Sequence, residues 1–119
     1  MNDLNLEICY LSASEALEKF KNKSLSPVEL LTETIKRIED VNPKINAFNF
    51  FRFEDALEEA KNSESKYSKG EVSLPLEGIP LAIKDEVNIA GQPNKNGSLI
   101  FKDVIAESTD VDVESLVNS

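Results

Sequence analysis

Between Pro75 and Gly91 the chain reads Pro-Leu-Glu-Gly-Ile-Pro-Leu-Ala-Ile-Lys-Asp-Glu-Val-Asn-Ile-Ala-Gly. Its apolar run, Ile79-Pro80-Leu81-Ala82-Ile83, stops at the charged triplet Lys84-Asp85-Glu86. The run is too short for a buried helix and carries a proline near its beginning. It therefore predicts a buried strand with Pro80 at the start, where a missing N–H removes no interior ladder bond. Such a strand would deliver Lys84 to its end, with the side chain facing a site. In isolation a strand-end lysine is an ordinary solvated charge, and only the residues around it give it another meaning.

The first half of the chain is patterned for helix. Ser12 followed by Glu15 has capping-box spacing, and Ala13, Ala16, Leu17 and Phe20 recur at helical intervals, predicting a short helix to about Lys21. Ser26, Pro27 and Glu29 make a stronger start: a cap, a proline where no N–H is needed, and a box partner. Val28, Leu31, Ile35 and Ile38 follow as a stripe suited to a core. This helix is expected to stop before Asn42-Pro43, because proline biases the residue before it away from helix. Ile45 to Phe51 fits either an extended stretch or the entry to a third helix. Phe53, Leu57 and Ala60 predict a surface helix from about Phe53 to Lys66, with Gly70 closing the region. Past the lysine, Gly91, Pro93, Asn94, Asn96 and Gly97 form a loop. Thr109 or Asp110 then caps a final helix carrying Val111, Val113 and Leu116.

Composition removes whole classes of chemistry. The 119 residues contain no histidine, which excludes a Ser-His-Asp triad, a histidine-ligated zinc or a histidine general base within them. Cys9, the one cysteine, sits among apolar residues and reads as packing. With 13 basic against 22 acidic residues the formal charge is −9, so no nucleic-acid partner is expected. No apolar run reaches the length of a membrane span, and the first residues lack the basic region of a signal peptide. The expectation is a cytoplasmic, acidic protein without membrane association, metal cluster or cofactor.

The segment Gly78-Ile79-Pro80-Leu81-Ala82-Ile83-Lys84-Asp85 resembles the lysine motif of the amidase signature family, serine hydrolases of carboxamides. Upstream, Ser24-Leu-Ser-Pro-Val-Glu-Leu-Leu and Ile38-Glu-Asp-Val-Asn-Pro-Lys-Ile-Asn-Ala-Phe-Asn are similar to the family's N-terminal helix and its Asn-Pro-x-hydrophobic-Asn-Ala-Phe segment. Downstream, Gly91-Gln-Pro-Asn-Lys-Asn-Gly-Ser-Leu resembles the Gly-x-x-Thr-Thr-x-Gly-Ser stretch, with Asn94 and Lys95 where threonines are usual. The resemblance implies an α/β fold: the N-terminal helices and first strands of an amidase-signature mixed-sheet domain, incomplete. Residues 1–119 would be the N-terminal fragment of that domain. Its helical region would span about 12–70, the lysine strand and following loop about 75–100, and the start of a helix about 109–119.

The same resemblance implies that Lys84 is the catalytic lysine. In the family a Gly/Ser-rich segment after the lysine supplies two serines, a nucleophile and a bridge to the lysine. No such segment occurs through Ser119. Ser98 matches a family position outside the catalytic set and has no Gly-x-Ser-x-Gly elbow around it. The expectation is a truncated or split amidase that is inactive alone, its partner being the missing remainder of the domain or a full-length homologue.

Lysine chemistry sets the physical requirement. A free lysine, with a pKa near ~10.4, is protonated at neutral pH, and bringing it to ~7.4 requires about 4 kcal/mol of differential destabilisation. Burial would have to supply this. Asp85 is expected to order the turn through backbone hydrogen bonds, and its charge favours the ammonium form. The alternative is a non-catalytic interaction protein that binds a partner or homologue through its helices and an exposed strand edge.

Overall fold

The computed structural model of the chain describes residues 5–119, in which the elements are α1 (Leu6–Cys9), α2 (Ala13–Lys21), α3 (Pro27–Ile45), α4 (Phe53–Lys69), a 3-10 turn at Leu99–Phe101, and α5 (Val111–Val117). Both capping boxes form. The Ser12 hydroxyl accepts from the Glu15 N–H while the Glu15 carboxylate accepts from the Ser12 N–H, and Ser26 and Glu29 repeat the arrangement at α3, where Pro27 occupies the first turn. The α4 end is also as the sequence predicts, with Gly70 in the left-handed conformation at φ +72°. The short α1 has no counterpart among the helices expected from sequence. Its Asn5 side chain caps it, and the Asn5 N–H reaches the Glu33 carboxylate on α3 at 2.8 Å.

Helix α3 overruns its expected stop. It continues through Pro43 to Ile45 and ends on Asn46, a left-handed residue with φ +48°. Proline at this depth removes one helical donor, yet the next turn is rescued locally. Asn46 donates to the Asn42 carbonyl at 2.8 Å, and the Asn42 side chain both accepts from the Phe48 N–H and donates to the Phe48 carbonyl. Asn42 thus folds the exit back upon the helix end, which offsets the preference of a pre-proline residue for extended backbone. Residues 46–52 contain no regular element; Phe51 stacks on Phe48 at a centroid distance of 6.3 Å and meets Phe53, the first residue of α4, at 4.9 Å in a tilted pair.

The chain divides into two compact units, Met1–Pro80 and Leu81–Ser119. In the first, α3 packs against α1 and α4. Ala16, Phe20, Leu25 and Leu30 form its buried centre, with Ile8, Leu11, Leu17, Tyr67 and Ile79 packed around them. Phe20 and Tyr67 meet at 5.5 Å in a tilted pair. The predicted α3 stripe is displaced slightly, since Leu30 and Leu31 are buried while Val28, Ile35 and Ile38 are half-buried.

The second unit is a hairpin-like loop followed by α5. Gly91 donates to the Ala106 carbonyl at 2.8 Å, Ala106 to Gln92 at 2.9 Å and Asn94 to Val104 at 3.0 Å, around an isolated antiparallel bridge between Pro93 and Ile105. Asp110 stands before α5 as expected, but its carboxylate makes no cap bond; it accepts instead from the Asn88 N–H and side-chain amide at 2.9 and 3.2 Å.

The first strands are not formed. Among the described residues there is no strand, and Ile79 to Ile83 is irregular, with Leu81 46% exposed. An extended segment becomes a strand only when a neighbour accepts and donates its ladder bonds, and no such neighbour is present among the described residues. No strand edge is therefore presented among the described residues.

Candidate active site

The lysine motif consists of two parts with different duties. Its first residues, and Glu77 just before them, are anchored in the helical unit. Glu77 is buried, with its carboxylate accepting from the Ser63 hydroxyl at 2.5 Å and from the Lys66 ammonium at 2.9 Å, while its carbonyl accepts from the Tyr67 hydroxyl at 2.9 Å. Burial alone would push the Glu77 carboxyl up; the Ser63 and Lys66 contacts outweigh it and hold the group below its ordinary value. Gly78 follows in left-handed conformation against Pro27 and Phe20, and Ile79 enters the core.

The second part, Lys84 onward, lies in the other unit. The Lys84 side chain is 76% exposed and its ammonium pairs with Glu86 at 2.9 Å. That contact raises the Lys84 pKa, first through the hydrogen bond and then through the charge of Glu86, so the side chain is a cation at neutral pH. From sequence the charge effect falls to Asp85, whereas in the structure Glu86 supplies the ion pair. The turn at residues 85–86 brings the side chain two residues on into reach.

Asp85 does order its surroundings through backbone hydrogen bonds. Its two carboxylate oxygens accept from the N–H groups of Lys95 and Gly97, each at 3.1 Å. The residue after the lysine therefore fastens the loop that carries Gly97 and Ser98. Ser98 uses its hydroxyl to accept from the Ile100 N–H at 3.2 Å, which makes it a cap of the 3-10 turn.

One polar cluster was not foreseen. Asn94, in a position where the resembling family usually has threonine, is buried, and its side-chain amide donates to the Asn88 side-chain oxygen and, at 3.4 Å, to the Glu86 carbonyl. Asn88 in turn holds Asp110, so one amide links the lysine turn, the loop and the start of α5. Nothing in the local spacing announces this cluster, since its members lie far apart in sequence. No group of three or more histidine, cysteine or carboxylate residues able to hold a metal occurs among the described residues. No helix among them is long and apolar enough to cross a membrane.

Cys9 packs as expected of a small apolar residue, with its thiol donating to the Glu33 carbonyl at 3.4 Å and burial pushing its pKa up.

Comparison with known proteins places this geometry in a family. The Amidase family model matches residues 29–119. The chain is 40% identical over 111 residues to a glutamyl-tRNA(Gln) amidotransferase subunit of Carboxydothermus hydrogenoformans, covering 93% of this chain and 23% of that protein. It is 32% identical over 114 residues to human fatty-acid amide hydrolase 2, covering 90% of this chain and 21% of the relative. Among solved structures it is similar to a bacterial aryl acylamidase of the amidase signature enzymes, with a TM-score of 0.82 and 28% identity over 95% of this chain and 24% of that one. The chain thus spans between a fifth and a quarter of the length of these relatives. On a family match that extends from the first turn of α3 through α4, the lysine motif, the loop and α5, the chain belongs to the amidase family.

Proposed function

We propose that this chain is the lysine-bearing part of an amide hydrolase, with Lys84 as the catalytic lysine and the serines contributed by polypeptide outside these residues. The observation that carries this reading is the division of labour within Gly78–Asp85. Gly78 and Ile79 pack, Asp85 fastens a loop, and Lys84 projects its side chain into solvent with the Glu86 carboxylate as its ion-pair partner. The family match over the same residues supports assigning that projected amine a chemical role.

In the proposed reaction a neutral Lys84 amine accepts the proton of a bridging serine hydroxyl, and the bridge takes the proton of the nucleophilic serine. The nucleophile forms a C–O bond to the amide carbonyl, the C–N bond breaks, and the departing nitrogen takes up a proton. Water then releases the acid. Lys84 as it stands in this chain is a cation and cannot begin this sequence. Displacing Glu86 and enclosing the amine are tasks for the rest of an amidase domain, so the chain by itself is inactive under this proposal. A reducing, cytoplasmic location accords with its single free cysteine.

The test is a graft. The matching region of the bacterial aryl acylamidase is replaced by this chain, and hydrolysis of an aryl acylamide is followed with Lys84 intact and as Lys84→Ala. Activity that disappears in the variant supports the role; hydrolysis that persists in Lys84→Ala refutes it.

A further inference from the structure

The hairpin-like loop of the second unit ends in an apolar apex. Leu99 and Ile100 are 87% and 85% exposed, Phe101 is 43% exposed, and Val104 and Ile105 are exposed as well. Large aliphatic side chains held this far into water form an uncovered surface.

The apex is held in place at both feet. On one side the Asp85 carboxylate holds the N–H groups of Lys95 and Gly97, and the Ser98 hydroxyl accepts from Ile100. On the other side Val104 donates to the Phe101 carbonyl, and residues 104–106 pair with 91–94. A loop whose backbone is already ordered loses little further entropy when its tip is covered, which is the property of a preorganised binding element.

We propose that Leu99, Ile100 and Phe101 form a plug that seats in an apolar pocket on the body of an amidase domain, the larger part of the fold that the relatives carry outside the matching region. This proposal rests on the amide-hydrolase reading above. Two facts select this occupant. A second copy of the chain, or an anionic lipid surface, would be approached by a molecule of net charge −9, and like-charge repulsion opposes both. The solved relative with a TM-score of 0.82 carries the same fold within a chain of which this region is 24%, so an amidase body is what accompanies this fold in that relative. Lys95 and Lys102 flank the apex, which suits a pocket with an acidic rim.

The test uses Leu99→Ser with Ile100→Ser, two residues too exposed to support the chain's own fold. Thermal unfolding is measured for the full chain and for the aryl acylamidase graft, each with and without the double substitution. The proposal expects an unchanged melting temperature in the chain and a fall of roughly 3–10 °C in the graft. An unchanged graft, or an equal fall in both, overturns it. If the graft gives no cooperative melt, serines at the two aligned positions of the intact aryl acylamidase decide the matter: a lowered melting temperature supports the plug, an unchanged one overturns it. Sedimentation and flotation with phosphatidylcholine vesicles are run on the full chain, and self-association or vesicle binding that the double variant abolishes also overturns the proposal. Because melting is read independently of hydrolysis, hydrolysis that persists in the Lys84→Ala graft refutes the lysine's role without bearing on the plug.

Discussion

Gly78 lies with φ +86° directly under Pro27, so that a Cβ on the glycine would stand 2.8 Å from the proline Cγ and 3.1 Å from its Cβ. The first residue of the lysine motif is thus fitted against the first turn of α3. Two separate penalties meet any side chain there, a left-handed backbone and a collision with a rigid ring.

Gly78→Ala is therefore expected to destabilise the helical unit by about 2–4 kcal/mol, combining ~1–2 for the backbone with an overpacking contribution. Urea unfolding of Gly78→Ala, Pro27→Ala and the double variant separates the two. The double variant should relieve the collision with the proline Cγ and leave the backbone part and the 3.1 Å approach to Cβ, giving a coupling of about 1 kcal/mol. Strict additivity of the two changes would show that the close approach carries no energy.

Glu77 makes stability depend on acid. Its folded pKa is depressed below the unfolded value, so its contribution is fully present above the unfolded pKa near ~4.3 and is lost as pH falls through the folded value. Glu77→Gln should cost about 1–3 kcal/mol at neutral pH, since the buried Ser63 hydroxyl and the partly exposed Lys66 ammonium lose a charged partner. The same variant should flatten the pH dependence of the unfolding midpoint below ~pH 5. A variant that retains the full acid dependence would place the responsible carboxylate elsewhere.

Glu86→Gln should lower the Lys84 titration midpoint toward that of an ordinary lysine, read by NMR on the lysine side-chain resonances. The sign follows from the raised folded pKa: the pair contributes at neutral pH, below the unfolded lysine value near ~10.4, and is lost as pH rises through the folded value. Both side chains are mostly solvated, so the unfolding midpoint at neutral pH should stay where it is. An unmoved Lys84 titration would mean that the ion pair is not populated in solution.

Asp85→Ala should release the loop that carries the apolar apex. The expected result is faster hydrogen exchange at the Lys95 and Gly97 amides, the two groups bound to the carboxylate, with a loss of about 1–2 kcal/mol in local opening free energy. Exchange in α2 and α3, which belong to the other unit, should not change. Unaltered protection at Gly97 would argue that the clasp is dispensable.

Local chemistry carried most of the helical reading. Ser12 with Glu15 and Ser26 with Pro27 and Glu29 satisfy helix-end donors within four residues, and Gly70 closes α4 through a conformation that glycine adopts freely. The same local rules failed at Pro43, where the Asn42 side chain reaches Phe48 and holds the helix exit that proline alone would have disfavoured. They failed again at Asp110, whose carboxylate turns to Asn88, twenty-two residues earlier in the chain.

By itself the sequence determined the family and the starts of α2, α3, α4 and α5, because caps, periodic apolar residues and the lysine motif are written in contiguous residues. Tertiary structure alone decided that Ile79–Ile83 is not a strand, that Glu86 pairs with Lys84, and that Asn94 joins the lysine turn to α5. The reason is the same in each case. A ladder, an ion pair and a buried amide all depend on which groups are neighbours in space, and that choice is made by packing rather than by spacing along the chain.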